Sequence, residues 1–160
     1  MKPGTDVRRK LLRWRILWPW LAVLAIYAVI SWFSAQPGDI SATQSGTVTG
    51  LMGYQVEWFE ILMRKLAHVM LFFILGAAVA FAWHRRCIGN RDHAKKNCPA
   101  ALPVVVLCAL LAALDEFHQY FVPERAALVS DVLLDTLGAA FGAMGAFLLV
   151  RLWRRRSKYG

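Results

Sequence analysis

Residues 66–83 read LAHVMLFFILGAAVAFAW, an apolar run in which His68 is the only ionisable side chain. A helix that crosses the hydrocarbon core of a bilayer needs about 20 predominantly apolar residues, within a range of roughly 17–25. This run falls in that range and carries no formal charge when His68 is neutral. It therefore predicts a transmembrane helix.

Three further runs resemble it. Residues 16–33 carry no charge, and the other two runs carry acidic groups only near one end: residues 100–121 with Asp115 and Glu116, and residues 132–150 with Asp135. The chain of 160 residues is 58% apolar and 18% charged, whereas a soluble domain is typically about 45–50% apolar and about 25% charged. Such a short chain cannot bury this much apolar surface. The composition excludes a disordered chain, a collagen-like repeat and a disulfide scaffold, and it predicts an all-α, polytopic membrane protein with four transmembrane helices.

The basic residues alternate between the two ends of these runs. Sixteen of the nineteen Lys and Arg residues lie before the first run, between the second and third, or at and after the end of the fourth. The positive-inside rule then predicts an N-in/C-in topology, with the loop at 85–99 also cytoplasmic. We expect a basic cytoplasmic N-terminus over 1–15, a membrane domain over 16–153 and a basic cytoplasmic tail over 154–160. Its helices are expected at about 16–33, 66–84, 100–121 and 132–153.

The net charge of +9 comes mainly from the same basic segments that predict the topology. Basic segments beside a membrane are attracted to anionic lipid, so membrane lipids are the expected partners and nucleic acid is not. The topology leaves the oligomeric state open.

The cysteines fall on the predicted cytoplasmic side or within a helix, where disulfides are rare, so we expect no disulfide. His84, Cys87, His93 and Cys98 offer a zinc site as an alternative. Their spacing matches no strong zinc pattern. We therefore expect no metal and no cofactor.

Polar side chains from three helices are predicted to meet at one membrane depth. On each helix, a pair of residues at the spacing that shares a helix face lies near the same boundary: Arg64 and His68, Asp115 and Gln119, and Asp131 and Asp135. Because the helices alternate in direction, all three pairs fall near the outer boundary of the bilayer. An ionisable residue within a membrane is by default a hypothesis of function.

The alternative is that these groups are structural ion pairs and interface anchors, which reach water by extending their side chains. We favour that interpretation for Arg64 and Glu124, and a site for the remainder, with His68, Asp115 and Asp135 acting as one unit. The candidate polar site comprises Lys65, His68, Asp115, Glu116, Gln119, Arg125, Asp131 and Asp135.

Small residues continue along the fourth run below Asp135. Gly138 and Gly142 form a GxxxG pair, and small residues at this spacing let two helix backbones approach closely. We expect this face to pack inside the monomer. A dimer interface is the alternative.

Five short motifs follow one another between Ser34 and Gly142: Ser34-x-Gln36-Pro37, Arg64-Lys65-x-x-His68, Asp115-Glu116-x-x-Gln119-x-Phe121, Arg125, and Asp131-x-x-x-Asp135-x-x-Gly138-x-x-x-Gly142. In this order they resemble the VanZ-like family of small membrane proteins. Two positions depart from the family pattern, which often has Tyr in place of Phe72 and usually has Asn in place of Asp135. The first departure removes a hydroxyl donor, and the second adds an acidic group.

The resemblance implies a protein of the cell envelope and, for the founding member, an association with teicoplanin-type glycopeptide resistance. We expect a multi-pass protein of the bacterial inner membrane that binds a lipid or a lipid-linked cell-wall component at the outer leaflet and influences glycopeptide susceptibility. One alternative is a membrane enzyme that acts on a lipid-linked substrate through His68, Asp115 and Glu116, whose side chains suit proton transfer. Another is a small proton-coupled transporter. Whether the protein is an enzyme stays open, because the sequence has no nucleophile elbow, phosphate loop or HExxH motif.

Overall fold

The computed structural model describes residues 4–36, 57–89, 101–123, 125 and 127–159. Within these ranges the chain forms helices and no strand: α1 is Gly4–Ser34, α2 is Glu57–Gly89, α3 is Ala101–Gln119 and α4 is Val129–Tyr159. Each helix contains a segment that is long and apolar enough to cross a membrane: Ile16–Ser34, Ile61–Cys87, Ala101–Gln119 and Val129–Arg156. The predicted all-α fold with four membrane-spanning helices is confirmed. The N-in/C-in orientation remains a prediction.

Three of the helices extend beyond the apolar runs that predicted them. α1 begins at Gly4, α2 begins at Glu57, and α4 continues to Tyr159. An apolar run marks only the part of a helix that suits hydrocarbon, whereas Arg, Lys and Leu in the flanks are good helix formers on their own.

α3 ends at Gln119, two residues before the predicted end at 121. The chain then turns tightly: the amide of Val122 donates to the carbonyl of Gln119 at 3.0 Å. Pro123 follows, and a proline disfavours helical backbone in the residue before it.

The largest helix interface joins α2 to α4, which run in the same direction. A Cβ on Gly138 would lie 2.7 Å from the carbonyl oxygen of Val69, and a Cβ on Gly142 would overlap the carbonyl oxygen of Phe73. The two backbones therefore touch, and the structure places the GxxxG pair inside the monomer. The same alignment of α2 and α4 brings Asp131 beside Lys65 at one end of the interface.

The buried core is small and the exterior is apolar. Core side chains come from all four helices and include Ile30, Phe72, Leu75, Val104 and Ala139. Large apolar side chains on all four helices face outward instead. Such extensive exposure marks a membrane-facing surface, because lipid is as apolar as the side chains that contact it.

One sequence-based expectation about the cysteines is wrong. Cys87, near the end of α2, is disulfide-bonded, while Cys108 in α3 is buried and free. The expectation rested on the redox compartment predicted for the loop. The side of the membrane on which a loop lies does not determine whether two cysteines are close enough in space to form a disulfide. The partner of Cys87 lies outside the described residues, as do the zinc candidates His93 and Cys98.

Candidate functional site

A cavity of about 130 Å³ lies at the end of the bundle where α1 and α3 end and α2 and α4 begin. We call it the polar cavity. On the same measure a single water needs roughly 10–15 Å³, so the cavity has room for a small polar group. Its lining consists of Ile61, Arg64, Lys65, His68, Glu116, Gln119, Arg125, Asp131, Leu134 and Asp135. The structure thus brings seven of the eight predicted site residues to one cavity, the exception being Asp115.

Two pairs of side chains, each a basic group beside a carboxylate, cross from α2 to α4 along one wall of the cavity. Nζ of Lys65 lies 2.5 Å from Oδ1 of Asp131, and Nδ1 of His68 lies 3.6 Å from Oδ2 of Asp135. The second pair is the more buried: the side chains of His68 and Asp135 are 16% and 6% exposed. The imidazole of His68 also stacks on the ring of Phe72, with 6.5 Å between the ring centres. The two pairs lie one above the other because α2 and α4 run parallel, and positions three or four apart on each helix face the same neighbouring helix.

Asp115 is fully buried and faces α1 instead of lining the cavity. Its Oδ2 accepts a hydrogen bond of 2.7 Å from Oγ of Ser34 and one of 3.1 Å from Nε2 of Gln119. Its Oδ1 has no partner among the described residues. The predicted unit of His68, Asp115 and Asp135 is therefore divided: His68 and Asp135 pair with each other, and Asp115 belongs to a separate cluster.

Ser34 is one of two polar residues that the predicted site omitted, the other being Arg64, which lines the cavity. The side chain of Ser34 is buried and it connects α1 to α3 through Asp115. The available signal was its position at the end of the first apolar run, within the Ser34-x-Gln36 motif. Spacing along the sequence could not reveal the contact, because 81 residues separate Ser34 from Asp115.

Arg125 fastens the segment between α3 and α4 to the end of α1. Its guanidinium donates to the Gln119 side-chain oxygen at 3.3 Å, the Gln36 carbonyl at 3.1 Å and the Phe33 carbonyl at 3.2 Å. All three acceptors are neutral. Burial lowers the pKa of Arg125 from its usual value, and the positive charge of Arg64 lowers it further, while Asp115 and Glu116 act in the opposite direction.

Glu116 also has a local structural partner. Its Oε1 accepts a hydrogen bond of 2.6 Å from the backbone N–H of Leu128, the residue before α4 begins. The carboxylate thereby fixes where α4 starts, since backbone N–H groups at a helix N-terminus need acceptors from outside the helix.

Arg64 differs from the other cations around the cavity. It lines the cavity, its Nε is buried without a hydrogen-bond partner, and it makes no ion pair with any described carboxylate. The structure therefore gives no support, within the described residues, for interpreting Arg64 as a structural ion pair. Glu124, for which the same interpretation was favoured, lies outside the described residues.

The lining suits charge recognition and proton exchange. A histidine beside a carboxylate can hold or pass a proton near neutral pH, and the cavity combines this pair with three Lys or Arg side chains. The described lining contains no Ser, Thr or Cys that would act as a nucleophile. Among the described residues, no group of three or more His, Cys, Asp or Glu side chains is arranged to hold a metal ion.

Comparison with known proteins gives one match. A family model described as VanZ/LLP1 matches residues 19–151, which is most of the chain and includes every residue that lines the polar cavity. No curated protein and no solved structure matches the chain.

Proposed function

The chain belongs to the VanZ-like family, and from this premise we propose that it is a multi-pass protein of the bacterial inner membrane. Its polar cavity binds the head group of a lipid or of a lipid-linked cell-wall component at the outer leaflet. Occupancy of the cavity then alters how that component is exposed to teicoplanin-type glycopeptides. The link to glycopeptides rests on the resemblance to the founding member of the family.

The mixed lining of the cavity carries this proposal. Charged side chains form its interior, while Ile61 and Leu134 line it and are 46% and 42% exposed on the apolar exterior of the bundle. The cavity therefore borders the surface that contacts lipid chains. A ligand that has a polar head and an apolar chain satisfies both parts of this lining, whereas a purely polar solute satisfies only the interior.

The distribution of basic residues supports the outer leaflet. Sixteen of the nineteen Lys and Arg residues belong to segments that meet the bundle at the end opposite the cavity. Since such segments are retained in the cytoplasm, the cavity end faces outward. Lipid-linked cell-wall components are displayed on that side of the membrane.

The test is to obstruct the mouth of the cavity and measure bound lipid. Leu134→Trp places a large side chain where a lipid chain would enter. Leu133→Trp is the matched control, because Leu133 is 61% exposed and does not line the cavity. Each protein is purified in mild detergent, incubated with a bacterial polar lipid extract and examined by native mass spectrometry. We expect at least a fivefold loss of bound lipid in the first variant only; equal retention by both variants and the parent protein contradicts the proposal.

A second candidate is an enzyme that acts on the head group of the bound lipid. The observation that favours it is the His68–Asp135 pair, which offers a general base inside the cavity. Its residues would be His68, Glu116 and Asp135, because Asp115 points away from the cavity. Release of a water-soluble head group from lipid by the purified protein, abolished in His68→Gln, is the result that supports catalysis. Stable binding without any turnover contradicts catalysis and supports the binding function.

A further inference from the structure

We propose that the polar cavity recognises its ligand through a phosphate-class oxyanion held jointly by the guanidinium groups of Arg64 and Arg125. This inference rests on the proposed function and names the chemical group that the cavity binds. The source of the oxyanion is either a lipid head group or free phosphate.

The carboxylates around the cavity already have partners. Asp131 pairs with Lys65, and Asp135 lies beside His68. Glu116 accepts a hydrogen bond from a backbone N–H group. These contacts account for the three acidic side chains of the lining, so neither Arg64 nor Arg125 has a described carboxylate within ion-pair distance. The more distant charges of Asp115 and Glu116 favour the charged form of Arg125 but do not pair with it.

The two arginines face the same space. Both line the cavity, and they lie close enough for the charge on Arg64 to disfavour the charged form of Arg125. Like charges placed together in a partly buried site destabilise it unless an anion lies between them. An oxyanion in the cavity would turn this repulsion into two attractive interactions.

Arg64 has donors available for such a ligand. Its Nε is buried and has no hydrogen-bond partner, and a buried donor without an acceptor costs free energy. Arg125 uses its Nε and both terminal nitrogens on three neutral acceptors, which hold the guanidinium in place without neutralising it. Arg125 therefore supplies a charge held in a fixed position, with a second N–H on each terminal nitrogen that these three bonds do not use. Arg64 supplies the unpaired N–H of its Nε.

Two guanidinium groups favour a phosphate over a carboxylate. One arginine already satisfies both oxygens of a carboxylate through two parallel hydrogen bonds. A phosphate offers three or more oxygens and a larger charge, so it can accept from two arginines at once. The planar fork of arginine suits phosphate recognition better than the point charge of lysine.

The experiment compares three probes on the purified protein in detergent: dioctanoyl phosphatidic acid, dioctanoylglycerol with the same chains and no phosphate, and inorganic phosphate. Binding is measured by titration calorimetry. Arg64→Gln removes the charge and most donors, and it should fold normally because Arg64 makes no described ion pair. Arg151→Gln is the matched control, since Arg151 is an exposed arginine on α4 at the opposite end of the bundle.

We expect the parent protein and Arg151→Gln to bind phosphatidic acid with the same Kd, and Arg64→Gln to bind it at least tenfold more weakly, as the loss of hydrogen bonds to a charged group implies. Arg64→Lys should fall between them. Competition by inorganic phosphate identifies free phosphate as a ligand, and no competition identifies the lipid head group; both results support the shared oxyanion chemistry.

Two outcomes overturn the inference. If Arg64→Gln retains the melting temperature of the parent protein and binds phosphatidic acid equally well, Arg64 holds no oxyanion. If dioctanoylglycerol binds as tightly as phosphatidic acid, the phosphate is not recognised, although binding of an amphiphile still stands. If neither lipid binds, the inference and the proposed lipid function both fail.

Discussion

Nδ1 of His68 lies 3.6 Å from Oδ2 of Asp135, and this contact joins two helices that run in the same direction although α3 separates them in the chain. One turn further along, Gly138 of α4 lies directly against the backbone of Val69 in α2. The polar pair and the close backbone contact are therefore neighbours in one interface. A change to the pair therefore acts on the interface in which the backbones of α2 and α4 meet.

Phe72 and Asp135, where the resemblance implies a departure from the family pattern, both lie beside His68. Phe72 is fully buried and stacks on the imidazole, while Asp135 supplies its carboxylate partner. Tyr in place of Phe72 and Asn in place of Asp135 would surround the same histidine with neutral hydrogen-bonding groups. This chain instead combines an apolar ring with an acidic group.

The first prediction concerns Asp135. Asp135→Asn keeps a polar side chain of the same size beside Nδ1 of His68, so we expect the melting temperature in detergent to change little. Asp135→Leu places an apolar side chain against the largely buried imidazole, and we expect a loss of about 1–3 kcal/mol. Thermal unfolding of the two variants side by side is the measurement. Equal melting temperatures for Asn and Leu would show that the His68–Asp135 contact contributes nothing.

The second prediction concerns the close approach of α2 and α4. Gly142→Ala places a methyl group against the carbonyl oxygen of Phe73, so the helices must separate. We expect a loss of about 1–3 kcal/mol, as overpacking usually costs, and a larger loss for Gly142→Leu.

Gly145 provides the matched control on the same helix. A Cβ there meets nothing within 4 Å, and alanine is the better helix former. Gly145→Ala should therefore melt at or above the temperature of the parent protein. A Gly142→Ala protein that is as stable as Gly145→Ala would mean that Gly142 does not mark a close contact.

The third prediction concerns Ser34 and Asp115. Ser34→Ala removes the 2.7 Å hydrogen bond to a buried carboxyl group, and we expect a loss of about 1–3 kcal/mol. Asp115→Asn changes the acceptor of the same hydrogen bond and should also lower the free energy of unfolding. Because the two side chains contact each other, the double variant should be less destabilised than the sum of the two single changes. Strict additivity in this cycle would contradict the contact.

The fourth prediction tests the N-in/C-in topology. In a cysteine-free background, a cysteine introduced at position 45 should react with an impermeant thiol reagent added outside intact cells. A cysteine at position 93 should react only after the membrane is opened. The reverse pattern would place the polar cavity at the cytoplasmic face and would remove the argument for the outer leaflet.

The sequence predicted the parts of the fold that follow from hydropathy and helical period. Four apolar runs predicted four spanning helices, and residues three or four apart predicted which polar groups on one helix share a face. These rules are local, so they placed Lys65, His68 and Asp135 at one end of the bundle, where the structure also brings them together. They did not predict the helical flanks, which extend where hydropathy gives no signal.

Contacts between distant segments were beyond these rules. No local feature of the sequence indicates that the side chain of Asp135 faces the cavity whereas that of Asp115 faces Ser34. The acceptors of Arg125 are largely backbone carbonyls, which any sequence supplies. The lack of a described partner for Arg64 could be recognised only after the partners of the neighbouring carboxylates were known.

If the polar cavity holds the head group of an amphiphilic ligand, that ligand should be visible directly. The measurement is an electron cryomicroscopy map of the protein in nanodiscs made from bacterial polar lipid, with a rigid antibody fragment bound for particle alignment. We expect ordered density for a head group within hydrogen-bonding distance of Arg64 and Arg125, with a chain extending past Ile61 and Leu134. A cavity that contains only water, or that is filled by a side chain of the protein itself, would contradict it.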